Sequence, residues 1–187
     1  GDSDLPDMKF RTYQIPGTSH DAWYNMLDYY EGYLHDDAAK YNFELSFGGA
    51  EGEPLDTPYQ YIFHAALRNL YVWVREGVPA PHAPKIEMVP AKPGDLDALT
   101  AFNPNSATTK FENKKDVFGN TMGGIRMACM DYPVGRYVSH SKKVDGSYDP
   151  MFGTVYPFAP EQLKAMYGGL EHYNCLLYTS PSPRDST

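Results

Sequence analysis

The stretch Lys9-Phe10-Arg11-Thr12-Tyr13-Gln14-Ile15-Pro16-Gly17-Thr18-Ser19-His20 runs from an extended tract into a Pro-Gly turn and ends on a histidine. Its aromatic and β-branched residues predict a short strand. Phe10, Thr12 and Gln14 would face one way and Arg11, Tyr13 and Ile15 the other, so both faces are mixed. Pro16 has no N–H for a ladder and Gly17 tolerates the positive φ of a sharp exit, so the strand should stop there. A histidine just past a strand end, on a turn held by its scaffold, is where a hydrolase places its general base. The alternative is a loop histidine with no role, and spacing alone leaves both open.

Composition narrows the field. The chain has 187 residues, enough for one domain of ordinary size, with 42% hydrophobic and 14% aromatic residues to build a core. Sixteen Tyr, 16 Pro and 16 Gly describe a loop-rich, aromatic-packed chain, unlike a simple helical bundle. A formal charge of -8 argues against nucleic acid and anionic membrane surfaces as partners. No run reaches the roughly 18 apolar residues of a membrane-spanning helix. Of two cysteines, Cys129 lies in the apolar string Met127-Ala128-Cys129-Met130, which suits a buried thiol, and no zinc-type Cys/His spacing exists. No cofactor is expected.

Beyond His20, Trp23, Met26, Leu27, Tyr30 and Leu34 carry a helical stripe that ends at His35-Asp36-Asp37. His20, His35 and the adjoining aspartates suggest a metal cluster, but solvated acidic turns explain them as well, and no metal is assigned. The clearest helix follows. Thr57 reads as its N-cap, Pro58 as its first residue and Gln60 as the partner in a capping box. Tyr59, Ile62, Phe63, Ala66, Leu67, Leu70, Trp73 and Val74 form one broad apolar face, predicted to be core. Gly77 supplies a left-handed stop, and His64 beside that face reads as a packed histidine. Residues 82 to 116 are mostly irregular, with Lys85 to Val89 a candidate edge strand. Strands are predicted over Ile125 to Met130 and Val134 to Val138. Phe152 to Phe158 reads as an aromatic loop, and Pro160 starts a helix whose buried face is Leu163, Met166, Tyr167 and Leu170.

Gly119-Asn120-Thr121-Met122-Gly123-Gly124-Ile125-Arg126 is the second informative site. Consecutive glycine amides make an anion-binding concavity, and an arginine can hold a carboxylate, so Asn120, Gly123, Gly124 and Arg126 are candidate substrate-binding residues. A tight structural turn with Arg126 paired to an internal acid accounts for the same residues.

Phe10 to His20 resembles the segment that carries the catalytic histidine in a large branch of α/β hydrolases, an aromatic and Arg-rich strand followed by Gly-Thr/Ala-Ser/Ala-His. Three further segments resemble that family in the same order. They are Ala65 to Leu70 with Trp73 to Gly77, then Gly119 to Arg126, then Phe152-Gly153 with Pro157-Phe158. The resemblance implies an α/β fold with a serine nucleophile, a carboxylic ester as small-molecule substrate and His20 as catalytic base. It gives the glycine-rich segment no catalytic role.

Such enzymes carry their serine in a Gly-x-Ser-x-Gly elbow, with the acid after it and the histidine last. No such string occurs here, and the chain begins at Gly1, close before His20. The expectation is therefore the carboxy-terminal part of an α/β-hydrolase sheet with flanking helices and long loop excursions, incomplete, over residues 1–174. Residues 175–187, from Cys175 to Thr187, resemble a translated sequencing adapter or a Ser/Pro-rich disordered tail. Two other classes remain open: an aromatic-rich binding module without catalysis, and a metal-dependent hydrolase. Compartment and oligomeric state have no signal in the sequence.

Overall fold

The structure is a computed structural model that describes residues 2–22, 51–91, 111–143, 145–146, 148–149 and 151–180. The stripe from Trp23 to Leu34 and the His35-Asp36-Asp37 group lie outside them.

The chain opens with a hairpin of β1 (Ser3–Leu5) and β2 (Met8–Phe10), paired antiparallel with Ser3 opposite Phe10 and Leu5 opposite Met8. The strand expected over Lys9 to Ile15 is thus a strand only to Phe10. The reason lies in its neighbour, Ala80 to Ile86, where Pro81 and Pro84 have no N–H to give a ladder. Side chains join the two runs instead. Arg11 Nε donates to the Ala80 carbonyl (2.7 Å), the Tyr13 hydroxyl to Pro81 (2.9 Å) and Lys85 Nζ to Thr12 (2.5 Å), while the Ile86 N–H donates to Gln14 Oε1 (2.8 Å).

The largest sheet among the described residues is antiparallel and three-stranded. Its strands are β3 (Glu53–Pro54), β6 (Gly135–Val138) and, between them, β9 (Thr154–Pro157). Two smaller pairs complete the strands: β4 (Met88–Pro90) with β5 (Phe111–Asn113), and β7 (Ser141–Lys142) with β8 (Tyr148–Asp149). The candidate strand over Lys85 to Val89 is thus displaced toward Pro90. The central position of β9 corrects the aromatic loop expected over Phe152 to Phe158. Its four residues are too few for period-two alternation to show, and Gly153 and Pro157 at its ends signal a turn. Pro157 is tolerated because it is the last residue of the strand, opposite Gly135.

Helix α1 (Gln60–Glu76) ends as its sequence predicts, on Gly77 at φ 74°, whose N–H returns to the Trp73 carbonyl (3.2 Å). Its start differs. Tyr59 is the N-cap and no side chain caps the helix, so Thr57 and Gln60 do not form the expected box. Its face differs too. Ile62 and Trp73 are buried, whereas Phe63, Leu67, Leu70 and Val74 are exposed at 47–61%. His64 is exposed, not packed.

In place of the strand expected over Ile125 to Met130 there is a single helical turn, α2 (Ala128–Asp131). Arg126 causes the difference by reaching forward to the Asp131 carboxylate and the Met130 carbonyl, which closes the turn. The last two helices are α3 (Pro160–Tyr167), with Ala159 as N-cap and Pro160 at its first position, and α4 (Leu170–Thr179). Gly168 at φ 72° separates them, so Leu170 starts a new helix and is exposed rather than continuing the face of Leu163, Met166 and Tyr167. Helix α4 runs through Cys175 and on to Thr179. No helix of the described residues is long and apolar enough to cross a membrane.

Candidate active site

His20 sits at a bend on the exposed surface, immediately after the turn at Pro16 and Gly17. Three fastenings hold that turn. Gly17 has φ 72°, and the Thr57 hydroxyl donates to its carbonyl at 2.6 Å. Pro16 is fully buried, and a Cβ on Gly17 would collide with the Met130 sulfur, so α2 packs directly beneath the turn. On the far side of His20, the Asp21 N–H donates to the Met151 carbonyl (2.9 Å) and Asp21 bridges in parallel to Phe152. This bridge is the parallel contact among the described residues; every ladder there is antiparallel.

The receiving segment is itself held by buried side chains. Thr154 Oγ1 donates to Ser141 Oγ (2.7 Å), which donates to the Phe152 carbonyl (2.9 Å), and both hydroxyl side chains are buried. Buried hydroxyls of this kind stay in place because exchanging their partners would leave polar atoms unsatisfied. Thr18 closes the turn locally by donating to the Ile15 carbonyl (2.8 Å). His20 thus presents an exposed imidazole on a backbone hydrogen-bonded before and after it.

Neither nearby serine is poised to react. Ser19 Oγ donates to the Asp21 carbonyl (2.5 Å), and Ser3 Oγ accepts from the Leu5 N–H (3.3 Å). Cys129 is half-buried, and burial, reinforced by the Asp131 carboxylate, pushes its thiol up, which keeps it protonated and unreactive.

The other candidate residues are bonded to protein groups. Asn120 is completely buried, and its amide donates to the Gly135 carbonyl (3.1 Å) while accepting from the Tyr137 N–H (2.8 Å). It therefore closes the edge of β6 that β9 leaves open. Asp116 Oδ1 shapes the approach by accepting from the N–H groups of Phe118 and Asn120, both at 2.9 Å. The Gly124 N–H donates to the Lys85 carbonyl (3.0 Å), so the two glycine amides do not converge on a common ligand. A Cβ on Gly124 would stand 2.7 Å from the Gln14 carbonyl and 2.9 Å from Pro16 Cδ, which shows how closely this segment approaches the turn before His20. Arg126 is held by Asp131 (2.5 Å), by the Thr121 carbonyl (2.9 Å) and by the Met130 carbonyl. The Ile125 N–H completes the contact by donating to the Gln14 carbonyl (2.7 Å).

Sequence reasoning missed Thr57, Met130, Ser141 and Thr154 as neighbours of this turn. Thr57 had a strong local signal for another role, and the rest had none. Among the described residues no group of three His, Cys, Asp or Glu side chains is arranged to hold a metal ion.

No curated protein and no solved structure matches the chain. A family model described as alpha/beta hydrolase domain matches residues 1–175, which include the turn at His20, the Asn120 to Arg126 segment and the sheet that joins them. The chain belongs to the alpha/beta hydrolase domain family.

Proposed function

We propose that this chain supplies the catalytic histidine of a serine hydrolase acting on carboxylic esters, with His20 as general base. The observation that carries the reading is an exposed imidazole between two backbone anchors, the Thr57 bond to Gly17 and the Asp21 bond to Met151, in a member of a hydrolase family. His20 takes the proton of a serine hydroxyl as that oxygen attacks the ester carbonyl. It returns the proton to the departing alcohol, then activates the water that releases the acid. A carboxylate fixes the tautomer of its ring, and backbone amides stabilise the oxyanion. No Gly-x-Ser-x-Gly string for the serine occurs among the 187 residues. Gly124 and Arg126 serve this arrangement by packing on the turn, through Gln14, Pro16 and Met130, and Asn120 by fastening the edge of β6, rather than by touching substrate.

Two measurements test the reading. The chain alone is expected to remain unlabelled by a fluorophosphonate serine-hydrolase probe; labelling abolished by changing Ser3 or Ser19 would place the nucleophile elsewhere and overturn it. The coding sequence upstream is expected to encode a Gly-x-Ser-x-Gly elbow followed by an acid. In the protein that contains that elbow, His20→Ala should lower kcat on the order of ten-thousand-fold. An unchanged rate would sink the assignment.

A further inference from the structure

We infer that Thr57 is a positioning residue for His20, an inference that rests on the catalytic reading of that histidine. Thr57 stands two residues before Tyr59, the N-cap of a helix that no side chain caps. Its hydroxyl donates across 40 residues of sequence to the Gly17 carbonyl, at 2.6 Å, and the residue is only 3% exposed. Gly17 has a left-handed φ of 72°, and Met130 fills the space where its Cβ would stand. Thr57 also joins the turn to the sheet. Two residues earlier Leu55 is buried, and its N–H donates to the Gly153 carbonyl (3.0 Å), beside the Phe152 that bridges Asp21. His20 is therefore carried between two arms of one support, with Thr57 closing the first. Catalytic proton transfer is sensitive to misplacement of about 1 Å, so a single buried hydroxyl here controls whether the imidazole is in register.

The test uses Thr57→Val, which keeps the shape and removes the hydroxyl, and Thr57→Ser, which keeps the hydroxyl and removes the methyl. Imidazole cross-peaks of His20 in nitrogen-correlated NMR spectra are the readout, with those of His64 and His172 as internal references. The valine variant is expected to shift or broaden the His20 signals alone, and the serine variant to restore them. Unchanged His20 signals in Thr57→Val, or signals in Thr57→Ser as perturbed as in Thr57→Val, would overturn the assignment. Should the valine variant fail to fold, the unmutated protein decides. Its Thr57 hydroxyl proton should be protected from exchange and show a nuclear Overhauser contact to Gly17, and a freely exchanging hydroxyl would overturn the inference. These readouts report where the ring sits, so they stand even if His20 proves to have no role in catalysis. That separate failure would appear only as an unaffected rate in His20→Ala.

Discussion

The turn that carries His20 and the helix α1 that follows it are opposites in how they are held. The turn has almost no apolar periodicity, yet Pro16 is fully buried, Gly17 is locked against Met130, and its carbonyl is taken by a hydroxyl from far along the chain. Helix α1 has the strongest periodic signal in the sequence, yet it buries only Ile62 and Trp73 and leaves Phe63, Leu67, Leu70 and Val74 in contact with solvent. Periodicity reports that a helix can be amphipathic. It does not report what lies against it. Dense polar fastening, by contrast, leaves little trace in sequence because each partner is an ordinary residue made specific by its position.

The sharpest way to break this contrast is to disturb glycines that differ only in surroundings. Gly124→Ala meets a left-handed backbone and a Cβ within 2.7 Å of the Gln14 carbonyl, and should cost about 3 kcal/mol, seen as a fall in thermal midpoint. Gly77→Ala, at φ 74° with nothing within 4 Å, should cost about 1 kcal/mol; equal losses would mean that the close approach at Gly124 contributes nothing. Asn120→Ala comes next. It leaves the Gly135 carbonyl and the Tyr137 N–H without partners, and denaturant unfolding should register a loss of about 2 kcal/mol.

A smaller effect, outside both regions, depends on pH. The Tyr167 hydroxyl donates to the Pro133 carbonyl (2.8 Å), and burial, with the neighbouring Tyr173 phenol, pushes Tyr167 up to about 12. Because the folded value exceeds the unfolded value of about 10, its stabilising contribution is complete below pH 10 and lost as pH rises toward 12. Tyr167→Phe should cost about 1 kcal/mol near neutrality through the lost hydrogen bond. It should also flatten the fall in stability above pH 10; an unchanged alkaline limb would show that this phenol does not contribute to it. The smallest effect belongs to the helix face. Phe63→Ser and Leu67→Ser should each change stability by no more than about 0.5 kcal/mol, and a loss comparable to Asn120→Ala would mean that this face is not solvent-facing after all.

What could be read from sequence was what depends on neighbours along the chain. The end of α1 at Gly77, the strand around Gly135 to Val138, and the start of α3 at Pro160 each follow from a few adjacent residues. So does the turn at Pro16-Gly17 with His20 beyond it. What could not be read required a partner. Thr57 satisfies every local rule for a helix cap, but the helix begins two residues later, with Tyr59 as its N-cap, and the Thr57 hydroxyl donates to the Gly17 carbonyl. The string Ile125 to Met130 has strand composition, but Arg126 finds Asp131 and folds it into a helical turn. Strand β9 is short and flanked by turn formers, and it becomes central only because β3 and β6 lie on either side.

The joining of residues 11–14 to residues 80–86 has a consequence for how this region can vary. In a backbone ladder, pairing survives most exchanges of side chain, since the bonded atoms are common to all residues but proline. Here Arg11, Tyr13, Gln14 and Lys85 make the connections themselves, so residue identity is the pairing code. An exchange at any of the four silences a connection while leaving every backbone hydrogen bond of the helices and strands in place. Drift at these positions would loosen the approach to His20 in a protein whose circular dichroism looked intact.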